Sequence, residues 1–274
     1  MTLMRMQRRA AFAVTVTLLL LLGTVFPVSA VRFGEPDGDD HPHVGVLVFE
    51  VDGEPAWRCS GTLISPTVML TAGHCTFGAT GGNVWFEPDV DAGIPENGYP
   101  FGGGTSIAME TIESHPEYVD DAFYLHDAGI VTLAEPVDLD EYGELAEPGL
   151  LDEISTRRGH HDQDFTVVGY GLQQVVPEVE EDVVRYQAEV QLIDVNGTAG
   201  IPAGTSASFT NNPGQGNGSG GTCFGDSGGP IFYGDSNVIA AITSYGLNAN
   251  CAGTGGGYRV DTEDDQEFIN GFLD

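Results

Sequence analysis

Lysine is missing altogether. The nine basic residues are all arginine, against 41 aspartates and glutamates. Three of the arginines precede residue 31 and none of the acids does, so residues 31–274 carry a formal charge of −35. A surface of that sign repels phosphate backbones and anionic lipid heads, which excludes nucleic acid and acidic membranes as partners. The acids are scattered rather than blocked, the pattern of a folded and solvated surface. Such self-repulsion is screened as the Debye length falls to about 3 Å near 1 M salt, so the composition fits a salt-adapted, halophilic source or simple acidic drift of the surface. There is no Cys-x-x-Cys pair, which argues against a zinc ribbon. Beyond residue 30 there is no long apolar run, so nothing after it reads as a membrane span.

What is present begins with a leader. Arg5, Arg8 and Arg9 precede an apolar run from Ala10 to Phe26, and Val28-Ser29-Ala30 is a small-residue cleavage site. This is the pattern of a secretory signal peptide cut after Ala30, and it predicts a secreted, extracellular protein. Arg8-Arg9 carries a weak twin-arginine flavour. Export makes disulfides the natural state of Cys59, Cys75, Cys223 and Cys251, with three pairings open.

The remaining chain is a series of short β-rich runs broken by Gly, Pro, Asn and Asp. Val44–Val51, Gly61–Ile64, Val68–Thr71, Asn83–Phe86 and Ile130–Leu133 lie in the first half; Phe165–Val168, Arg185–Ile193, Ile231–Tyr233 and Val238–Thr243 lie in the second. Many short strands with frequent turn signals predict an all-β barrel or sandwich. Asp138 to His161 is poor in such runs and reads as the connection between two β halves, 31–145 and 146–274. Asn211 to Gly221 reads as a glycine-rich surface loop. At the end, Thr262 is positioned to cap a short helix whose Phe268/Phe272 and Ile269/Leu273 pairs share one face.

The chemistry centres on Gly221-Thr-Cys-Phe-Gly-Asp-Ser-Gly-Gly-Pro230. A serine flanked by glycines lets backbone approach a reacting carbonyl closely. Gly225-x-Ser227-x-Gly229 also matches the nucleophile elbow of α/β-hydrolases. A serine nucleophile needs a base, usually histidine, held by a third group. The last histidine is His161, so the order serine, acid, histidine is excluded and the base must come earlier in the chain. His74 follows a β-rich run beside a cysteine and is the best-placed candidate. His41, His43, His160 and His161 read as solvated loop histidines; His115 lies in a turn before Pro116, and His126 precedes Asp127. Asp127 precedes an apolar strand and can be buried, whereas Asp120 and Asp121 read as exposed. His160, His161, Asp162 and Asp164 are too close in sequence to converge on one metal, so no catalytic metal is expected. Glu87, Asp89, Asp91 and Glu96 suit at most a structural calcium ion.

Leu70-Thr-Ala-Gly-His-Cys75, Asp127-Ala-Gly-Ile-Val-Thr-Leu133 and Gly225-Asp-Ser-Gly-Gly-Pro230 resemble, in order and spacing, the three active-site blocks of trypsin-like (chymotrypsin-fold) serine proteases. Gly61–Ile64, Val168–Gly171, Ser244–Gly246 and Gly257–Val260 resemble supporting blocks. The resemblance implies two six-stranded antiparallel β-barrels and a serine endopeptidase that needs no cofactor and acts on polypeptides as a monomer. It implies catalysis by His74, Asp127 and Ser227, an oxyanion hole from the N–H groups of Gly225 and Ser227, and the pairs Cys59–Cys75 and Cys223–Cys251. It also implies that Asp226 pairs with a new α-amino group, here that of Val31, although Arg32 and Phe33 depart from the family's usual residues. The primary pocket would be formed by Gly221, Thr222, Phe224, Ser244, Tyr245 and Gly246. Glycine replaces the aspartate of an arginine-selecting enzyme, so a large apolar or aromatic residue is expected before the cut. A catalytically silent binding module of the same fold is the alternative, and all three catalytic positions are occupied here.

Overall fold

The computed structural model describes residues 31–156, 164–196, 200–214 and 218–273. Residues 1–30, read above as a leader, and His160, His161 and Asp162 lie outside them. Among the described residues no helix is long and apolar enough to cross a membrane.

The chain begins with a two-residue strand, β1 (Glu35–Pro36), and then builds a first barrel. Its strands are β2 (Val44–Val51), β3 (Glu54–Leu63), β4 (Val68–Thr71), β5 (Gly81–Trp85), β6 (Ile107–Ser114) and β7 (Gly129–Leu133), closed in the order β2-β3-β4-β7-β6-β5. β8 (Glu144–Leu145) and a helix, Leu150–Thr156, follow. The second barrel holds β9 (Asp164–Gly169), β10 (Tyr186–Asp194), β11 (Ser206–Thr210), β12 (Pro230–Tyr233), β13 (Val238–Gly246) and β14 (Thr254–Arg259). They run β9-β10-β11-β14-β13-β12, and β9 pairs with both β10 and β12 to close the ring. Every pairing within the two barrels is antiparallel; β8 adds to β13 in parallel, and β1 adds to β10. The expected pair of six-stranded barrels is therefore present, as is the short C-terminal helix, Glu263–Asn270. Thr262 caps it by accepting the Asp265 N–H.

Aliphatic and aromatic side chains fill the barrels. Trp85, Phe49, Leu47 and Met69 are fully buried in the first, and Phe165, Ile231 and Phe209 lie in the second. Each such side chain contributes roughly 1.5–3 kcal/mol by leaving water. β14 is built differently, with Gly255-Gly256-Gly257 across its centre. A Cβ on Gly256 would stand 2.2 Å from the Tyr245 ring, and one on Gly257 would stand 2.7 Å from Ile231. Glycine is needed here because neighbouring side chains fill the space above the strand.

The barrels are joined by a buried cation. Arg185 is 1 % exposed and donates from Nε to Asp37 (2.7 Å) and from Nη1 to the carbonyls of Val44 and Phe86 (3.0 Å each). A buried charge of this kind needs both its counter-ion and its hydrogen bonds. Burial alone would raise the Asp37 pKa, but His41 and Arg185 outweigh it and hold it below the usual value. His41 and His43, expected to be solvated, belong to this packing. His41 bonds Asp37 and stacks on Phe232. His43 is 2 % exposed, and burial lowers its pKa to about 4. The Asp37–Arg185 pair and Phe232 draw this loop inward, which its polar sequence does not announce. Arg259 forms a second buried node, with Asp261 and with Asp152 on the helix after β8.

Candidate active site

β4 is buried along its whole length and ends at Thr71, so the next residues leave the first barrel on a fixed line. The chain then makes one helical turn, Gly73–Thr76, which carries His74. Asp127 precedes β7, which pairs with β4, so two adjacent strands of one barrel deliver the imidazole and the carboxylate. Asp127 is fully buried, and three donors converge on it. The His74 backbone N–H reaches Oδ1 at 2.8 Å, His74 Nδ1 lies 2.9 Å from Oδ2, and the Ser244 hydroxyl donates to Oδ2 at 2.6 Å. Burial depresses the His74 pKa, but the charge and hydrogen bond of Asp127, with Asp120 further off, more than offset it and leave it raised. The carboxylate thus fixes Nδ1 as the protonated nitrogen and leaves Nε2 with a lone pair. Asp120 and Asp121 are exposed, as their sequence suggests.

Ser227 comes from the second barrel's loop and is docked against the same strand end. A Cβ on Gly228 (φ +77°) would stand 2.1 Å from Thr71 Oγ1 and 2.6 Å from the Ala72 nitrogen. Only glycine allows the Ser227 loop to lie this close to the residues leading into His74. The loop is also pinned by Ser60 of β3, a buried residue that sequence reading passes over. Its N–H donates to the Ser227 carbonyl (2.8 Å), and its hydroxyl donates to the Gly225 carbonyl (2.9 Å) and accepts the Tyr170 N–H (3.0 Å). A lone serine in a strand gives no sequence signal of that role.

Asp226 is fully buried. Its Oδ1 accepts the Gly171 N–H and its Oδ2 the Cys223 N–H, each at 2.8 Å. Cβ atoms at Gly169 or Gly171 would fall within 2.5 Å of this carboxylate, so the Val-Gly-Tyr-Gly block forms its cradle. Burial raises its pKa to about 7, against the pull of the two N–H groups and Arg58. Val31 is buried beside Leu151, Ile154 and Phe165. Its φ of +43° is costly for a β-branched residue. Arg32 bridges to Gly221, whose N–H donates to the Arg32 carbonyl at 3.0 Å.

The cysteines pair as Cys59–Cys75, next to His74, and Cys223–Cys251, beside a cavity. That cavity, about 260 Å³, is lined by Thr222, Phe224, Ser227, Ser244, Tyr245 and Gly246, with Leu247, Asn248 and Ala249 on the far side. Among the described residues, no ionisable acid or base other than the Tyr245 phenol lines it. Gly221 sits behind the wall instead, where a Cβ would strike Asn211 Oδ1 at 2.1 Å. The Tyr245 ring covers Gly256 and hydrogen-bonds Ser206, so this side of the cavity is more closed than the glycine run suggests. Asn211 itself ties the wall together by donating to the Thr222 and Cys251 carbonyls.

Residues 35–263 match the family model described as trypsin. Among curated relatives, a trypsin of Saccharopolyspora erythraea is 27 % identical, over 80 % of this chain and 87 % of its own. A brachyurin of Leptuca pugilator is 30 % identical, over 77 % and 83 %. A chymotrypsin of Phaedon cochleariae is 28 % identical, over 71 % and 65 %. A solved structure titled HL collagenase superposes with a TM-score of 0.68 at 20 % identity, covering 88 % of this chain and 98 % of that one, and shares the fold. With two closed barrels and a match over most of its length, the chain belongs to the trypsin family and is a serine endopeptidase.

Proposed function

We propose that the protein is a secreted endopeptidase in which Ser227, His74 and Asp127 form the catalytic triad. The observation that carries the reading is the buried Asp127, which fixes the His74 ring while the Ser227 loop is packed on the strand end leading into that histidine. His74 Nε2 takes the Ser227 proton as Oγ attacks the scissile carbonyl, and the N–H groups of Gly225 and Ser227 receive the oxyanion. Collapse breaks the C–N bond, with His74 returning the proton to the leaving amine. Water then releases the acyl group by the same steps. Asp127 stays ionised and stabilises the imidazolium. The test is a serine-directed phosphonate followed by mass spectrometry: the adduct maps to Ser227, and an adduct elsewhere or none overturns the reading.

The leader supports export with cleavage after Ala30, and relatives include a venom serine protease. Cleavage gives Val31 an α-amino group, which moves to Asp226 as its buried counter-ion and orders the oxyanion loop. The cost of the Val31 backbone conformation favours that departure. The neutral cavity supports cleavage after large apolar or aromatic residues, because an arginine side chain would lose water there without gaining a partner. Peptides with Phe before the cut are expected to exceed Arg peptides about 100-fold in kcat/KM. Equal or reversed rates, from paired fluorogenic peptides, remove this specificity. The charge of −35 supports a salt-adapted monomer, so the thermal midpoint is expected to rise between 0.1 and 2 M KCl (about those concentrations) as the screening length shrinks. A flat or falling midpoint in a thermal melt counts against it. Calcium at Glu87, Asp89, Asp91 and Glu96 has less support, since Asp89 and Asp91 each accept a backbone N–H and Glu87 accepts the Thr105 hydroxyl.

A further inference from the structure

Next to Asp127 in the chain, at His126, three side chains that the proposed reaction leaves idle come together from separate parts of the chain. His115 follows β6, His126 immediately precedes Asp127, and Asp264 lies in the first turn of the C-terminal helix. Their ligating atoms all lie within 4.8 Å of one another. Nδ1 of His126 is buried without a hydrogen-bond partner and faces Asp264 Oδ2 at 3.5 Å. His126 Nε2 faces the Glu117 carboxylate, also at 3.5 Å. His115 Nε2 stands 3.9 Å from the same Asp264 oxygen, and the two imidazoles stack at 4.8 Å.

His126 Nδ1 faces the Asp264 oxygen across 3.5 Å without a hydrogen bond, and His115 Nε2 borders the same oxygen, so three donor atoms enclose one gap of the size a cation fills. We propose that the cation is Zn²⁺, held by His126 Nδ1, His115 Nε2 and the Asp264 carboxylate, with water completing the tetrahedron. Two imidazole nitrogens suit zinc and disfavour calcium or magnesium, which take oxygen ligands. Zinc–nitrogen bonds of about 2.0–2.1 Å place neighbouring ligand atoms roughly 3.3 Å apart, so separations of up to 4.8 Å close by about 1.5 Å or less and the stacked rings, 19° apart, turn toward the ion. Glu117 then serves as the outer carboxylate that holds the second nitrogen of a metal-bound histidine.

His115 is suited to the role because its ring is buried, at 6 % exposure, and so meets the site rather than bulk water. Its Nδ1 accepts the Glu117 N–H at 3.2 Å, and this contact opens when Nε2 takes the metal. Asp265, beside Asp264, and the overall charge of −35 concentrate cations around the site. An occupied site clasps the C-terminal helix to the segment that carries Asp127.

The test uses the full chain with Ser227→Ala, so binding is read without turnover and stands apart from the proposed proteolysis. Zn²⁺ is titrated by calorimetry in excess Ca²⁺, which occupies ordinary surface carboxylates. One zinc per chain is expected. His126→Asn and Asp264→Asn, at partly exposed positions that leave the far-ultraviolet circular dichroism unchanged, each weaken it about tenfold or more. His74→Ala, added to the same chain, leaves it intact. Zinc uptake that survives both ligand substitutions, that Ca²⁺ displaces, or that disappears with His74→Ala overturns the proposal, as does no uptake.

Discussion

Ser227→Ala is expected to lower kcat on a good peptide substrate by about a millionfold while the chain stays folded, because the triad acts as a unit and its nucleophile has no substitute. His74→Ala should cost about as much, and the double variant little more than either, since neither residue acts without the other. Asp127→Asn should lose about 10⁴-fold. In that variant the side-chain amide competes with His74 Nδ1 as a donor, and the Ser244 hydroxyl, 2.6 Å from Oδ2, also loses a charged acceptor. The measurement is burst and steady-state kinetics on one chromogenic peptide, with circular dichroism to show that each variant is folded. Multiplicative losses in the double variant would mean that Ser227 and His74 do not share a proton, and a Ser227→Ala chain retaining a hundredth of the rate would move the nucleophile elsewhere.

How far such a site can be read from sequence depends on what each residue's neighbours are. β2 and β4 were legible because buried runs such as Val44–Val51 and Val68–Thr71 are apolar nearly throughout. β6 was not, since Ile107–Ser114 has an exposed face carrying glutamates, and its alternation is interrupted where its register on β7 shifts. β14 was hidden for the opposite reason: three consecutive glycines read as loop, yet they mark where Tyr245, Ile231 and Asn211 press on the strand. The proposed triad is read through motifs of fixed order, whereas the residues that support it are not. Ser60 acts through a strand-to-loop contact 165 residues away in the chain, and Ser244, read as pocket wall, spends its hydroxyl on Asp127. His41 and His43 look like loop residues until Arg185 and Phe232 arrive from the other barrel. Long-range partnership leaves no local signature, and it is where the reading stops.

Asp226 gives the second large expected effect, one in which pH separates the chain before and after cleavage. In the chain with the Ala30–Val31 bond intact, its carboxyl is fully buried with a pKa near 7, against 3.8 for an ordinary aspartate. Between those values the folded chain holds a proton that the unfolded chain has released. The stabilisation is therefore complete below about pH 4 and is lost as pH rises through about 7, with a total on the order of 4 kcal/mol. A chain beginning at Val31 has an ammonium group to pair with the carboxylate, which lowers the Asp226 pKa and removes the loss. Other carboxylates titrate alike in both chains, so the difference between the two isolates this pair. Urea unfolding at a series of pH values from about 4 to 7.5, with both chains carrying Ser227→Ala and intact disulfides, is the measurement. The cleaved chain should gain steadily on the intact one as pH rises, by most of that amount at the upper end. Two curves that stay parallel would mean that the amine of Val31 never reaches Asp226, and the oxyanion loop would then have to be ordered by the Gly171 and Cys223 N–H groups and by Ser60 alone.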